Sequence, residues 1–209
     1  MNIYISKFNS IMETERKLKI ILDPAHGSNV AGKCSPDKSH YEWMWSRQSC
    51  ENIKQLIQEQ GFTVYYSNES DIEIGLSKRV TIANSLCKGN ESEFLFFSNH
   101  NNAAGSGAKW MTARGFEVFI SDNASLNSKE FANLFISELK YAFPEVKNRG
   151  VKSYNYTVLY ATKCPAVLSE WLFQDNESDL EMLKDPIINS KFEEVVVNSI
   201  IKFDTKIFG

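Results

Sequence analysis

The chain has 209 residues, 43% of them hydrophobic, and a formal net charge of −3. That length and apolar content suit one domain with a sizeable core. The absence of a large basic block removes the electrostatic basis for nucleic-acid binding, and no apolar run approaches the roughly 18 residues that span a bilayer.

Residues 1–17 carry weak pattern and are read as an N-terminal extension, with an edge strand as its one expected element. Residues 18–22 form the first apolar strand. A polar loop rich in Gly, Ser, Asn and Lys follows from Gly27 to about Tyr41, long for a strand-to-helix connection and therefore expected to be functional. Trp43, Cys50, Ile53, Leu56 and Ile57 recur at helical spacing and predict a helix over 42–60, stopped by Gly61. Residues 62–66 read as strand, 76–86 as helix, 94–98 and 115–120 as strands. Asn127 with Glu130 resembles a capping pair for a helix to Phe143. Strands are expected at 156–160 and 166–169, a short helix at 176–183, and a last helix at 188–203. The stretch 105–115 lacks a phosphate-loop ending and is read as a mobile loop. Alternating strands and helices imply an α/β fold: a single domain with a mostly parallel twisted sheet of about six strands and helices on both faces.

The four cysteines, Cys34, Cys50, Cys87 and Cys164, are scattered, so a disulfide scaffold is not expected. The N-terminal residues lack the basic start, apolar core and cleavage site of a signal peptide, so the expected location is the cytoplasm of the producing cell.

Two of the three histidines stand just beyond apolar strands. His26 follows Ile20-Ile-Leu-Asp-Pro-Ala, and His100 follows Phe94-Leu-Phe-Phe-Ser-Asn. The strand at 166–169 runs into Glu170. In an open α/β sheet, chemistry collects at the carboxyl ends of the strands. Two imidazoles converging there suggest a zinc site, which in hydrolases takes three protein ligands and leaves a position for water. The third ligand is Glu42, opening the helix after the long loop, or His40 two residues earlier; spacing does not separate them. Glu170 is the candidate general base. Asp23 is either a partner that orients a ligand imidazole or a cap of the Asp-Pro turn. Cys34 is weighed as a ligand and set aside as a free thiol. Trp43, Trp45, Trp110 and Trp171 are divided between core and a glycan-lining role.

These residues resemble a known family. Asp23-Pro24-Ala25-His26-Gly27 is similar to the Asp-Pro-Gly-His-Gly opening of the zinc-dependent N-acetylmuramoyl-L-alanine amidases of the amidase-3 type. In the family's order follow Glu42, then Arg79-Val-Thr-Ile-Ala83-Asn84 for Arg-x-x-x-Ala-Asn, and Ser98-Asn-His100-Asn-Asn102-Ala for Ser-x-His-x-Asn-Ala. Gly115-Phe-Glu117-Val-Phe, Asn148-Arg149-Gly-Val-Lys152 and Pro165-Ala-Val-Leu-Ser-Glu170-Trp-Leu-Phe-Gln-Asp-Asn176 complete the series. The resemblance covers residues 18 to about 203. It implies zinc on His26, Glu42 and His100, a catalytic Glu170, supporting or substrate-binding roles for Asp23, Asn102 and Arg149, and a catalytic domain over 18–209. It implies peptidoglycan as the partner and cleavage of the bond between N-acetylmuramic acid and L-alanine of the stem peptide; a monomer is expected. With no signal sequence expected, a phage lysis enzyme is the leading setting. A bacterial remodelling amidase, another zinc peptidase or deacetylase, and an inactive wall-binding domain are the alternatives. The chain departs from the family at Ala25 and Leu172, where glycine is usual, and at Ser67-Asn68, where Thr-Arg is usual.

Overall fold

The computed structural model describes residues 16–106 and 108–209; except for Arg16 and Lys17, the expected N-terminal extension lies outside them. Six strands form one sheet in the order β2-β1-β3-β6-β4-β5. β1 (Lys19–Pro24), β2 (Thr63–Tyr66), β3 (Phe94–Asn102) and β6 (Ala166–Phe173) run parallel. β4 (Phe116–Ile120) is antiparallel to β6, and β5 (Asn148–Ser153) lies parallel to β4 at the edge. The expected single α/β domain with a mostly parallel sheet is what folds.

The central strands are apolar on both faces because helices cover both. Alternation sorts their side chains: Ile20, Leu22, Leu95 and Phe97 point to one face, Ile21, Phe94 and Phe96 to the other. The first face packs α1 (Glu42–Glu59), α3 (Leu126–Ala142) and α6 (Pro186–Phe208), through Ile53, Phe131, Phe135, Val196 and Phe203. The second packs α2 (Leu76–Cys87) and the one-turn α4 (Thr157–Tyr160), through Val80, Ala83, Val158 and Leu159. α5 (Glu177–Lys184) joins β6 to α6.

Two expected elements differ. Residues 156–160, expected as strand, form α4; Tyr160 N–H returns to the Tyr156 carbonyl at 2.8 Å, and the Tyr156 ring sets edge-on against Phe119. The aromatic and β-branched content that suggests a strand here is used to roof the sheet. The missing strand is β5, a half-exposed polar edge strand, which has no apolar run to betray it. The α3 cap is Ser125, whose Oγ accepts the Ser128 N–H at 3.1 Å, not Asn127. β3 and β6 also run several residues past their apolar segments, so His100 and Glu170 are strand residues paired in register, while His26 lies two residues beyond β1.

The two departures from glycine resolve differently. Ala25 is buried outside the left-handed region, its N–H bonded to Ser46 Oγ at 2.8 Å; the positive φ falls on His26, at 50°. Leu172 does adopt φ 43°, as the extra residue of a bulge where Trp171 and Phe173 pair with Asn101 and Asn102. Glycine is the usual occupant of a left-handed bulge position; here a fully buried leucine side chain offsets the strain.

Candidate active site

The sheet order reverses between β1 and β3, and the crevice at their carboxyl ends holds the site. Three side chains from separate elements meet there. Glu42, the first residue of α1, is buried; its Oε1 lies 2.9 Å from His100 Nδ1 and its Oε2 3.2 Å from His26 Nε2. The donor atoms of the three residues all lie within 4.8 Å of one another. The two imidazoles stand edge to face, with centroids 5.1 Å apart. Tetrahedral zinc with bonds of about 2.1 Å places its ligand atoms about 3.4 Å apart. Two nitrogens and one carboxylate at these separations fit that ion.

Electrostatics favour an ionised Glu42. Burial pushes its carboxyl up, but the hydrogen bonds and charges of His100 and His26 outweigh this and hold it well below the usual carboxylate range. Glu42 Oε1 also accepts the Asn101 N–H at 3.1 Å, and Gln174 Nε2 donates to Oε2 at 3.3 Å. His40 is not in the cluster: its Nε2 faces Asn101 Oδ1 at 2.8 Å, so it steadies the residue whose N–H steadies Glu42. Cys34 also lies outside the cluster, as a free thiol.

A layer of buried charge below holds His26 in its left-handed conformation. Arg79, almost fully buried, donates to the His26 carbonyl at 2.7 Å and to that of Pro24, while pairing with Asp23 at 2.7 Å and Glu73 at 2.7 Å. Arg47 adds bonds to the carbonyls of Ala25 at 3.0 Å and His26 at 2.9 Å. Asp23 touches neither imidazole. It accepts from Ser98 at 2.6 Å, from Ser67 and from Arg79, and so supports His26 through the guanidinium. Ser67, one of the family departures, is thus part of this layer. Gly27 is needed because a Cβ there would lie 2.1 Å from the Glu73 nitrogen.

Glu170 faces the same crevice from β6, opposite His100 in register. It lines a cleft of about 330 Å³ together with the three clustered residues. Its Oε2 is buried with no hydrogen-bond partner among the described residues. Burial, with Glu42 and Glu117 adding to it, pushes the Glu170 carboxyl up to about 8, against the lowering charges of His100 and Lys33.

Asn102 lines the cleft and donates to Glu117 Oε1 at 2.6 Å. Arg149 is turned to Glu117 Oε2 at 2.6 Å, its guanidinium over the Phe173 ring, and lies outside the lining of the cleft. Lys152 shares the same carboxylate. Glu117, Arg79, Glu73 and Gln174 are supporting residues to which strand-end reasoning assigns no role; the Arg-x-x-x-Ala-Asn and Gly-x-Glu resemblances were the only signals for the first two. Of the tryptophans, Trp171 is core, Trp45 packs against it, Trp43 is half-buried and Trp110 exposed. The β3–β4 loop is tied back by Asp175 Oδ2 to Gly105 N at 2.8 Å and by Asn176 to the Met111 carbonyl at 3.0 Å.

Similarity to known proteins agrees with this geometry. The profile of the family described as N-acetylmuramoyl-L-alanine amidase matches residues 20–202. The chain is 27% identical over 186 residues to a probable cell wall amidase, LytH, of Staphylococcus epidermidis, covering 88% of this chain and 57% of that protein. It is 28% identical over 169 residues to the N-acetylmuramoyl-L-alanine amidase CwlM of Bacillus licheniformis, covering 80% of this chain and 61% of that one. It therefore spans less than two thirds of these relatives. The crystal structure of an N-acetylmuramoyl-L-alanine amidase from Clostridium difficile 630 superposes with a TM-score of 0.80 at 25% identity, covering 90% of this chain and 97% of the other. Family profile, relatives and fold agree over nearly the whole chain, which belongs to the N-acetylmuramoyl-L-alanine amidase family.

Proposed function

We propose that the chain is a zinc-dependent peptidoglycan hydrolase that cleaves the amide between the lactyl group of N-acetylmuramic acid and L-alanine of the stem peptide. The observation that carries this is the buried Glu42 between two histidines, with Glu170, whose Oε2 has no hydrogen-bond partner among the described residues, beside them in one cleft. His26, Glu42 and His100 would hold the metal. Zinc, when bound, supplies a Lewis acid that polarises the amide carbonyl and acidifies water.

The remaining work falls to the chain's own residues. Glu170 takes the proton of the attacking water and returns it to the alanine nitrogen as the C–N bond breaks. The products are a lactyl carboxylate and a free amine. Gln174, Asn101 and the Arg79 layer keep the metal-binding side chains oriented.

Digestion of purified sacculi, followed by mass spectrometry, tests the bond. Expected products are intact stem peptides with free L-alanine amino termini and uncut glycan. Shortened stems or released acetate would reassign the reaction, and binding without cleavage would make the chain a wall-binding domain. Metal analysis tests the ligands: wild type should hold one zinc per chain, Glu42→Ala should lose it, and His40→Ala should keep it. The opposite pattern would move the third ligand to His40.

The lytic setting has its own test. Cells that express the chain in the cytoplasm should stay intact until their membrane is permeabilised, and turbidity should then collapse. Wall damage without permeabilisation would point to remodelling instead.

A further inference from the structure

We propose that Lys33 is a specificity residue that pairs with the carboxylate of the stem-peptide residue following L-alanine. This rests on the amidase reading above and extends it to the peptide side of the cleft. Lys33 belongs to the long loop between β1 and α1, and that loop is not free. The Lys33 carbonyl accepts the Glu42 N–H at 3.1 Å, and Cys34 pairs with Tyr41 in an antiparallel bridge. The backbone of Lys33 is therefore tied to the backbone of Glu42, whose carboxylate lies at the centre of the histidine cluster. Lys33 lines the same cleft as His26, His100 and Glu170, near enough for its charge to act on the Glu170 carboxyl.

The other cations around the site are committed. Arg79 serves Asp23, Glu73 and two carbonyls; Arg47 serves the carbonyls of Ala25, His26 and Ser70; Arg149 and Lys152 share Glu117. Among the described residues, Lys33 has no carboxylate within ion-pair distance. It is the exposed cation lining this cleft that has no carboxylate partner among the described residues, and an anionic group of the substrate near the scissile bond would meet it.

The substrate offers such a group. The residue after L-alanine is a γ-linked glutamate whose α-carboxyl is either free or amidated. One extended residue spans about 3.5 Å, so with the scissile nitrogen beside Glu170 this carboxyl would lie within reach of the same cleft. A Lys ammonium on a four-carbon stem presents a mobile point charge, which suits a single carboxylate more than a bidentate fork.

Two synthetic muramoyl peptides that differ only in a free carboxylate or a carboxamide at that residue provide the test. The wild type should show a kcat/KM about fivefold higher on the free acid, the size expected of a partly solvated ion pair. The preference should shrink as salt is raised. In Lys33→Met the ratio of the two kcat/KM values should fall to about one, and Lys33→Arg should retain most of it. No preference in the wild type, or a ratio that Lys33→Met leaves unchanged, overturns the proposal; an equal drop on both substrates would mean that Lys33 acts through Glu170 alone. Failure of the wild type to cleave either peptide would count against the amidase reading itself.

Discussion

Glu170→Gln should lower kcat by about 10²–10⁴-fold, the usual contribution of a positioned general base, while zinc content stays at the wild-type level. Gln keeps the shape and the neutral hydrogen-bonding capacity but cannot take the proton from water. The same substitution should not harm the fold, because burial without a partner makes the ionised carboxylate a cost. Its Oε2 has no hydrogen-bond partner among the described residues, and its carboxyl is pushed from the ordinary 4.5 up to about 8. The sign follows from linkage. Below the ordinary value both folded and unfolded chains carry the proton, and the group is neutral to stability. Between 4.5 and about 8 only the unfolded chain is ionised, so the wild type loses stability as pH rises; above that the cost stays constant. In chelator-treated protein the Tm of Glu170→Gln should therefore pull ahead of wild type across that window and match it near pH 4. A variant that keeps full turnover would remove Glu170 from the mechanism. One that unfolds at every pH would show a structural role for the carboxylate.

Arg79→Met is the largest stability change expected outside the apolar core. Removing one member of a buried ion pair leaves its partner charged and unpaired, at a cost of about 3–5 kcal/mol. Asp23 keeps only its two serine donors, while Glu73 and the His26 carbonyl each lose a charged donor. For a domain of this size that corresponds to a Tm lower by roughly 6–20 °C. Zinc affinity should fall too, although Arg79 is no ligand, because His26 sits at φ 50° and depends on bonds to its carbonyl to stay there. Arg79→Lys should recover little, since an ammonium cannot reproduce the guanidinium fork. Adding Asp23→Asn to Arg79→Met should return part of the lost stability by removing the stranded charge. A loss under about 1 kcal/mol, or zinc binding at wild-type strength, would show that the loop holds His26 without this layer.

The residues most legible in the sequence were those whose chemistry depends on strand ends. His26, His100 and Glu170 each follow an apolar run, and apolar runs in a parallel sheet must be buried, so their polar ends must cluster at one rim. Spacing alone leaves Glu42 as one of two candidates, because two residues' separation in a loop gives no direction for a side chain; the family resemblance selects Glu42. The helix start decided it: Tyr41 ends the loop, Glu42 opens α1 turned inward, and His40 points to Asn101 instead. The edge strand β5 is hidden because an edge needs no apolar face, and α4 reads as a strand because Val158 and Leu159, with Tyr156 just before them, are apolar residues that pack on the sheet from above.

The sequence by itself determined the α/β alternation, the strands that would be central, and a rim carrying two imidazoles and a carboxylate. These follow from periodicity and polarity, which are local. Tertiary structure alone decided that His40 turns away from the cluster that Glu42 completes, that Asp23 acts through Arg79 and not on an imidazole, and that the left-handed residue of the first turn is His26 and not Ala25. Each of these rests on groups far apart in the chain being desolvated together. A buried charge must find its partners wherever the fold brings them, and no local pattern records which ones those are.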